Sequence, residues 1–79
     1  MEIQDRVIKI FSEVFNLNEE DIKLTDNKED IESWDSIGHL SCVMRLEEEF
    51  NIRLSTDDII KIDSIENCIK VITELLKNN

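Results

Sequence analysis

SWDSIGHLSCVMRLEEEF, Ser33 to Phe50, sets one serine directly after an acid and directly before an amphipathic run. Asp is a good N-cap and its charge suits the positive end of a helix dipole, so a helix begins at Asp35 or Ser36. It runs to about Phe50. At about 100° per residue, this helix has two apolar sides. Val43, Leu46 and Phe50, flanked by Cys42 and His39, form the side that should face a core. Ile37, Leu40 and Met44 form a second stripe more than a quarter turn away, with Glu47 and Glu48 beside it and Ser36 at its N-terminal edge. A small bundle can bury two stripes against two neighbours, and that reading stands for Leu40. The bordering acids fit Ile37 and Met44 better to an exposed docking face for a basic partner. Whether Ser36 merely starts a helix or offers its hydroxyl for modification depends on the rest of the chain.

Upstream, Ile3, Val7, Ile10, Phe11, Val14 and Phe15 fall at helical spacing and predict one apolar helix face. Between Leu17 and Asp35 no period appears. Leu17, Ile22, Leu24, Ile31 and Trp34 read as isolated anchors of a long loop, with a short turn at Asn18–Ile22, and loops of that length in a compact domain are usually functional. Downstream, Ser55 or Thr56 caps a short helix, Asp57 to Lys61. Asp63 and Glu66 have capping-box spacing ahead of a last helix. Ile65, Cys68, Ile69, Ile72, Leu75 and Leu76 mark its apolar stripe, and residues 77–79 read as a frayed end. The expectation is an all-α chain: a four-helix bundle with a long first loop and a short third helix.

The 79 residues suit one domain, 1–79, with one modest core; 41% apolar residues are enough to fold it, and 5% aromatics leave little for a deep pocket. The chain holds no proline that would forbid long helices. Charges scattered through MEIQDRVIKIF argue against a cleaved signal peptide, and no run approaches the roughly 20 apolar residues of a membrane span. A cytoplasmic protein without membrane insertion is expected. Cys42 and Cys68 are too few for a disulfide framework or zinc site and read as buried thiols. The net charge of −10 argues against nucleic acid as a partner. From Leu17 to Asp35, eight acids face Lys23 and Lys28, so this stretch carries −6 of the −10. It reads as a solvated loop or as an electrostatic attraction for basic partners, which would speed encounter more than it tightens binding.

Two chemistries fail on the residues. Ser36 and His39 lie one turn apart, yet there is no GxSxG elbow and no glycine-rich segment to supply oxyanion donors. An EF-hand loop begun at Asp26 would put Lys28 at position 3, Ile31 where glycine is needed and Ile37 where a bidentate Glu is required.

Asp35-Ser36-Ile37, followed by V-M-x-L-E-E-E-F at 43–50, resembles the second helix of acyl carrier proteins, and the likeness extends over the chain's length, acidity, long first loop and short third helix. The resemblance implies a four-helix bundle of acyl-carrier type that catalyses nothing itself. It implies that Ser36 accepts 4′-phosphopantetheine from coenzyme A through a phosphodiester, by a Mg²⁺-dependent phosphopantetheinyl transferase. The arm's thiol would carry an acyl intermediate as a thioester. Asp35, Ile37, Leu40, Met44, Glu47 and Glu48 would recognise partners: the transferase, and loading and transferring enzymes with basic docking patches. A monomer is expected of a carrier that visits several enzymes. The inner stripe and the last helix would line a core able to admit an acyl chain. Gly38 and Ser41 stand where fatty-acid carriers are often acidic, Arg45 adds a positive charge, and Trp34 with Gly38-His39-Leu40 looks more like a stand-alone carrier of a dedicated pathway. An aminoacyl or peptidyl carrier shares the Asp-Ser core, and an unmodified acidic helical adaptor is the remaining alternative.

Overall fold

The computed structural model describes residues 2–77; of the expected frayed end, 78 and 79 lie outside the described residues. Helix α1 spans Ile3–Phe15, a 3₁₀ turn Glu19–Asp21, α2 Ser36–Phe50, α3 Thr56–Lys61 and α4 Ile65–Lys77. No strand occurs among the described residues; the single β-type contact pairs Asn27 with Ser64. The expected all-α bundle with its long first loop and short third helix is what the chain forms.

Each helix boundary has a local cause. Asn16 and Asn51 follow α1 and α2 in the left-handed conformation, at φ 57° and 54°. Asn tolerates that region better than most side chains. Ser55 starts α3 with a full capping box: its hydroxyl accepts from the Asp58 amide, and the Asp58 carboxylate accepts from the Ser55 amide.

The start of α4 differs from the capping box expected of Asp63 and Glu66. Its first amides are taken by the loop: Ile65 N–H donates to the Asp26 carbonyl and Glu66 N–H to the Leu24 carbonyl, both at 3.0 Å. Ser64, not Asp63, supplies the side-chain cap, accepting from Asn67 N–H at 3.0 Å. The Asp63 amide, which Glu66 would reach back to in a capping box, donates instead to the Lys61 carbonyl at 2.9 Å, so Glu66 has no reach-back role. The same geometry corrects Leu24. Its carbonyl holds α4, but its side chain is exposed and does not anchor the loop. Ile22, Ile31 and Trp34 do, each buried, with Leu17 packed beside them.

Helix α1 packs against α2 and α4, and α3 against α4. The core gathers Val7, Ile10, Phe11 and Phe15 of α1, Val43, Leu46 and Phe50 of α2, Ile62 after α3, and Ile65 and Ile72 of α4. Cys42 and Cys68 lie fully buried among them. Burial pushes the Cys42 thiol up to about 12 and the Cys68 thiol up as well, so both stay protonated and unreactive at neutral pH. Surface ion pairs join α1 to α2 among the described residues: Arg6 to Glu49 at 2.8 Å, and Arg45 to Glu13. Arg6 also lies over the Phe50 ring, 4.4 Å from its centroid.

Candidate functional site

The site forms where the acidic loop turns into α2. Trp34 is drawn inside by its apolar ring and ends the loop; Asp35 is left at the surface with extended backbone and caps α2. Its Oδ1 accepts from Gly38 N–H at 2.8 Å, and its carbonyl accepts from His39 N–H at 2.8 Å. Capping is therefore done by Asp35. Ser36, in the first turn, is exposed, and among the described residues its hydroxyl has no hydrogen-bond partner. An open cleft of about 450 Å³ lies beside it, lined by Lys28, Trp34, Asp35, Ser36, His39 and Leu40.

The two stripes of α2 separate as their positions on the helix require. His39, Cys42, Val43, Leu46 and Phe50 are buried. Ile37, Leu40 and Met44 are 77%, 56% and 64% exposed. Leu40 thus belongs with the exposed outer stripe. Ile60 of α3, which the sequence reading left aside, is 67% exposed as well. Glu48 is exposed beside the strip. Glu47 is half-buried and partly committed elsewhere: its Oε2 accepts from Leu54 N–H at 2.9 Å, and its carbonyl receives the amides of Asn51 and Ile52. Arg45 does not dilute the acidic rim, because its guanidinium turns to Glu13 of α1 and holds that carboxyl below the usual carboxylate range.

His39 closes the floor of the cleft. Its Nδ1 lies 2.8 Å from the indole nitrogen of Trp34, and its Nε2 2.9 Å from the carbonyl oxygen of Ile59 in α3. An indole N–H can only donate, so Nδ1 accepts and Nε2 carries the proton that it donates to Ile59. With both ring nitrogens engaged, His39 cannot serve Ser36 as a base. Behind it the Trp34 ring meets Phe11 edge-on at 5.0 Å and Phe15 at 5.6 Å between centroids. Among the described residues no cluster of three acids, histidines or cysteines could hold a metal ion. No helix of the described residues is long and apolar enough to cross a membrane.

Gly38 is the residue that periodicity missed. A Cβ there would stand 2.7 Å from Cε1 of Phe15 and 2.8 Å from the carbonyl oxygen of Ser33. The Phe15 ring is held by Phe11 and Trp34, and the Ser33 carbonyl accepts from Asp35 N–H at 2.9 Å, so neither yields cheaply. The available signal was compositional: this is the chain's sole glycine, placed inside a helix. Gly38→Ala should gain about 1 kcal/mol of helix propensity and lose about 2–3 kcal/mol to overpacking, the upper part of the usual range because both contacts fall under 3.0 Å on groups that are held in place. A net loss of about 1–2 kcal/mol is expected in urea denaturation. A variant as stable as the parent would show that the turn has slack.

A family model described as "phosphopantetheine attachment site" matches residues 5–72, from early α1 to within the last two turns of α4.

Proposed function

Because the chain belongs to the phosphopantetheine attachment-site family, whose domains bear covalent 4′-phosphopantetheine, we propose that Ser36 is the acceptor and that the protein carries acyl intermediates between enzymes. The observation that supports this most is the free, exposed Ser36 hydroxyl at the head of α2, with capping delegated to Asp35. The residues fit the arm: an open cleft adjoins the hydroxyl, and the first-turn amides of α2 and Lys28 offset the added phosphodiester charge. The arm supplies a thiol that holds the acyl group as a thioester. What this chain contributes is presentation. Ser36 offers the oxygen; Ile37, Leu40 and Met44 offer apolar contact; Asp35 and Glu48 orient basic partners, with Glu47 contributing what its bond to Leu54 leaves free. The cargo belongs to a fatty-acid-like or dedicated biosynthetic pathway in the cytoplasm, and the carrier works as a monomer, without catalysis of its own. An aminoacyl cargo is the second reading, favoured by the charged rim that Lys28 and Asp35 give the cleft.

The test is intact mass after incubation with coenzyme A, Mg²⁺ and a promiscuous phosphopantetheinyl transferase. A gain of one phosphopantetheine, mapped to the peptide holding Ser36, is expected; an unchanged mass would overturn the assignment. For the docking rim, Glu48→Lys should lower transferase kcat/KM about two- to fivefold at low salt, through KM, with the effect fading as salt is added. Glu47→Lys should also lower the melting temperature, because it strips the buried Leu54 amide of its acceptor. Unaltered low-salt kinetics for Glu48→Lys would remove that acid from the docking face.

A further inference from the structure

Resting on the reading of Ser36 as the attachment point, we propose that the Trp34–His39–Ile59 bridge seals the seam between α2 and α3. The cargo of this carrier then stays outside the bundle, which suits short or polar acyl groups and not long aliphatic chains. A path inward from the cleft beside Ser36 runs through its floor, and that floor is Trp34 and His39, 5% and 8% exposed. Their ring nitrogens are spent on each other at 2.8 Å and on the Ile59 carbonyl at 2.9 Å, so the loop, α2 and α3 are tied at one point. A methylene chain passing inward must part this bridge and leave an indole N–H, an imidazole and a carbonyl unpaired among apolar side chains. Beyond it lie the buried side chains of the core. Phe11 and Phe15 fill the space behind Trp34, and Leu46, Ile62, Ile65 and Ile72 are wholly buried. An alkyl chain lying in the cleft itself would meet Lys28 and Asp35 at its rim, where a polar acyl group keeps its hydrogen bonds.

The experiment transfers acetyl-, butyryl-, octanoyl- and dodecanoyl-phosphopantetheine from the corresponding coenzyme A thioesters, then measures melting temperature and the rate of thioester cleavage by hydroxylamine. Expected are melting temperatures that agree within about 2 °C and cleavage rates within about twofold across the series. A dodecanoyl form that melts more than about 4 °C higher and is cleaved about tenfold more slowly would overturn the proposal. His39→Ala removes both bonds and opens a gap, so dodecanoyl loading should now stabilise the protein and protect the thioester. Trp34→Phe keeps a ring but removes the donor, and serves if His39→Ala does not fold. If whichever of these folds remains blind to chain length, the bridge is not the seal. A chain that takes up the arm yet shelters the dodecanoyl group overturns this inference alone; one that takes up no arm overturns the reading of Ser36 with it.

Discussion

Ser36→Ala will take up no phosphopantetheine and yet melt where the parent does or slightly above. The two halves of that result come from one division of labour at the head of α2. The Asp35 carboxylate accepts from Gly38 N–H at 2.8 Å, while the Ser36 hydroxyl has no partner among the described residues. Removing that hydroxyl breaks no bond, and alanine is the better helix former by about 0.5 kcal/mol. Loading should fall to nothing, because a transferred phosphoryl group needs this oxygen. Asp35→Ala is the mirror image: the hydroxyl stays, but the cap is lost at a cost of about 0.5–2 kcal/mol. Calorimetry and intact mass on the two variants separate the roles. A mass gain in Ser36→Ala would move the attachment to another hydroxyl, with Ser33 and Ser41 nearest in sequence. A large drop in its melting temperature would mean that Ser36 holds the helix after all.

The bundle was legible wherever a residue's fate depends on neighbours three or four positions away. The spacing of Val7, Ile10, Phe11 and Phe15 marks the face that α1 buries, and the two stripes of α2 part into buried Val43, Leu46 and Phe50 and exposed Ile37 and Met44. Asp35 was legible as a cap for the same reason. What escaped was set by partners far along the chain. The amides of Ile65 and Glu66 are satisfied by carbonyls about forty residues earlier, so the Asp63 carboxylate accepts from the Asn67 side chain and not from these amides. Arg45 is placed by Glu13, 32 positions away, and Glu47 by the returning Leu54 amide. Leu24 looked like an anchor by composition, yet it is the backbone there that holds α4. His39 was legible as a flank of the core-facing stripe. That it bridges Trp34 and Ile59 depends on how α3 closes over α2, which no period encodes.

Phe11→Ala is expected to cost about 3–5 kcal/mol, the largest loss of any single truncation considered for this fold. Phe11 is fully buried on α1 and sits between two other rings, 5.6 Å from Phe15 and 5.0 Å from Trp34. Its neighbours cannot collapse into the gap easily, because Trp34 is pinned by its bond to His39 and Phe15 by the close approach of Gly38. A domain of this size has about 4–12 kcal/mol in total, so the loss takes a large fraction of it. The melting temperature should fall by more than about 12 °C, with the emission of Trp34 shifting to the red as its packing loosens. Val7→Ala, equally buried one turn earlier on the same helix, removes less volume and no ring, and should cost less. The effect should also reach the cleft. Trp34 is its floor and the residue next to Asp35, so a loosened indole frees the turn that presents Ser36, and loading of the folded fraction should slow. A loss below about 1 kcal/mol would mean that the aromatic cluster is loosely packed, and the rigid floor beneath Ser36 would go with it.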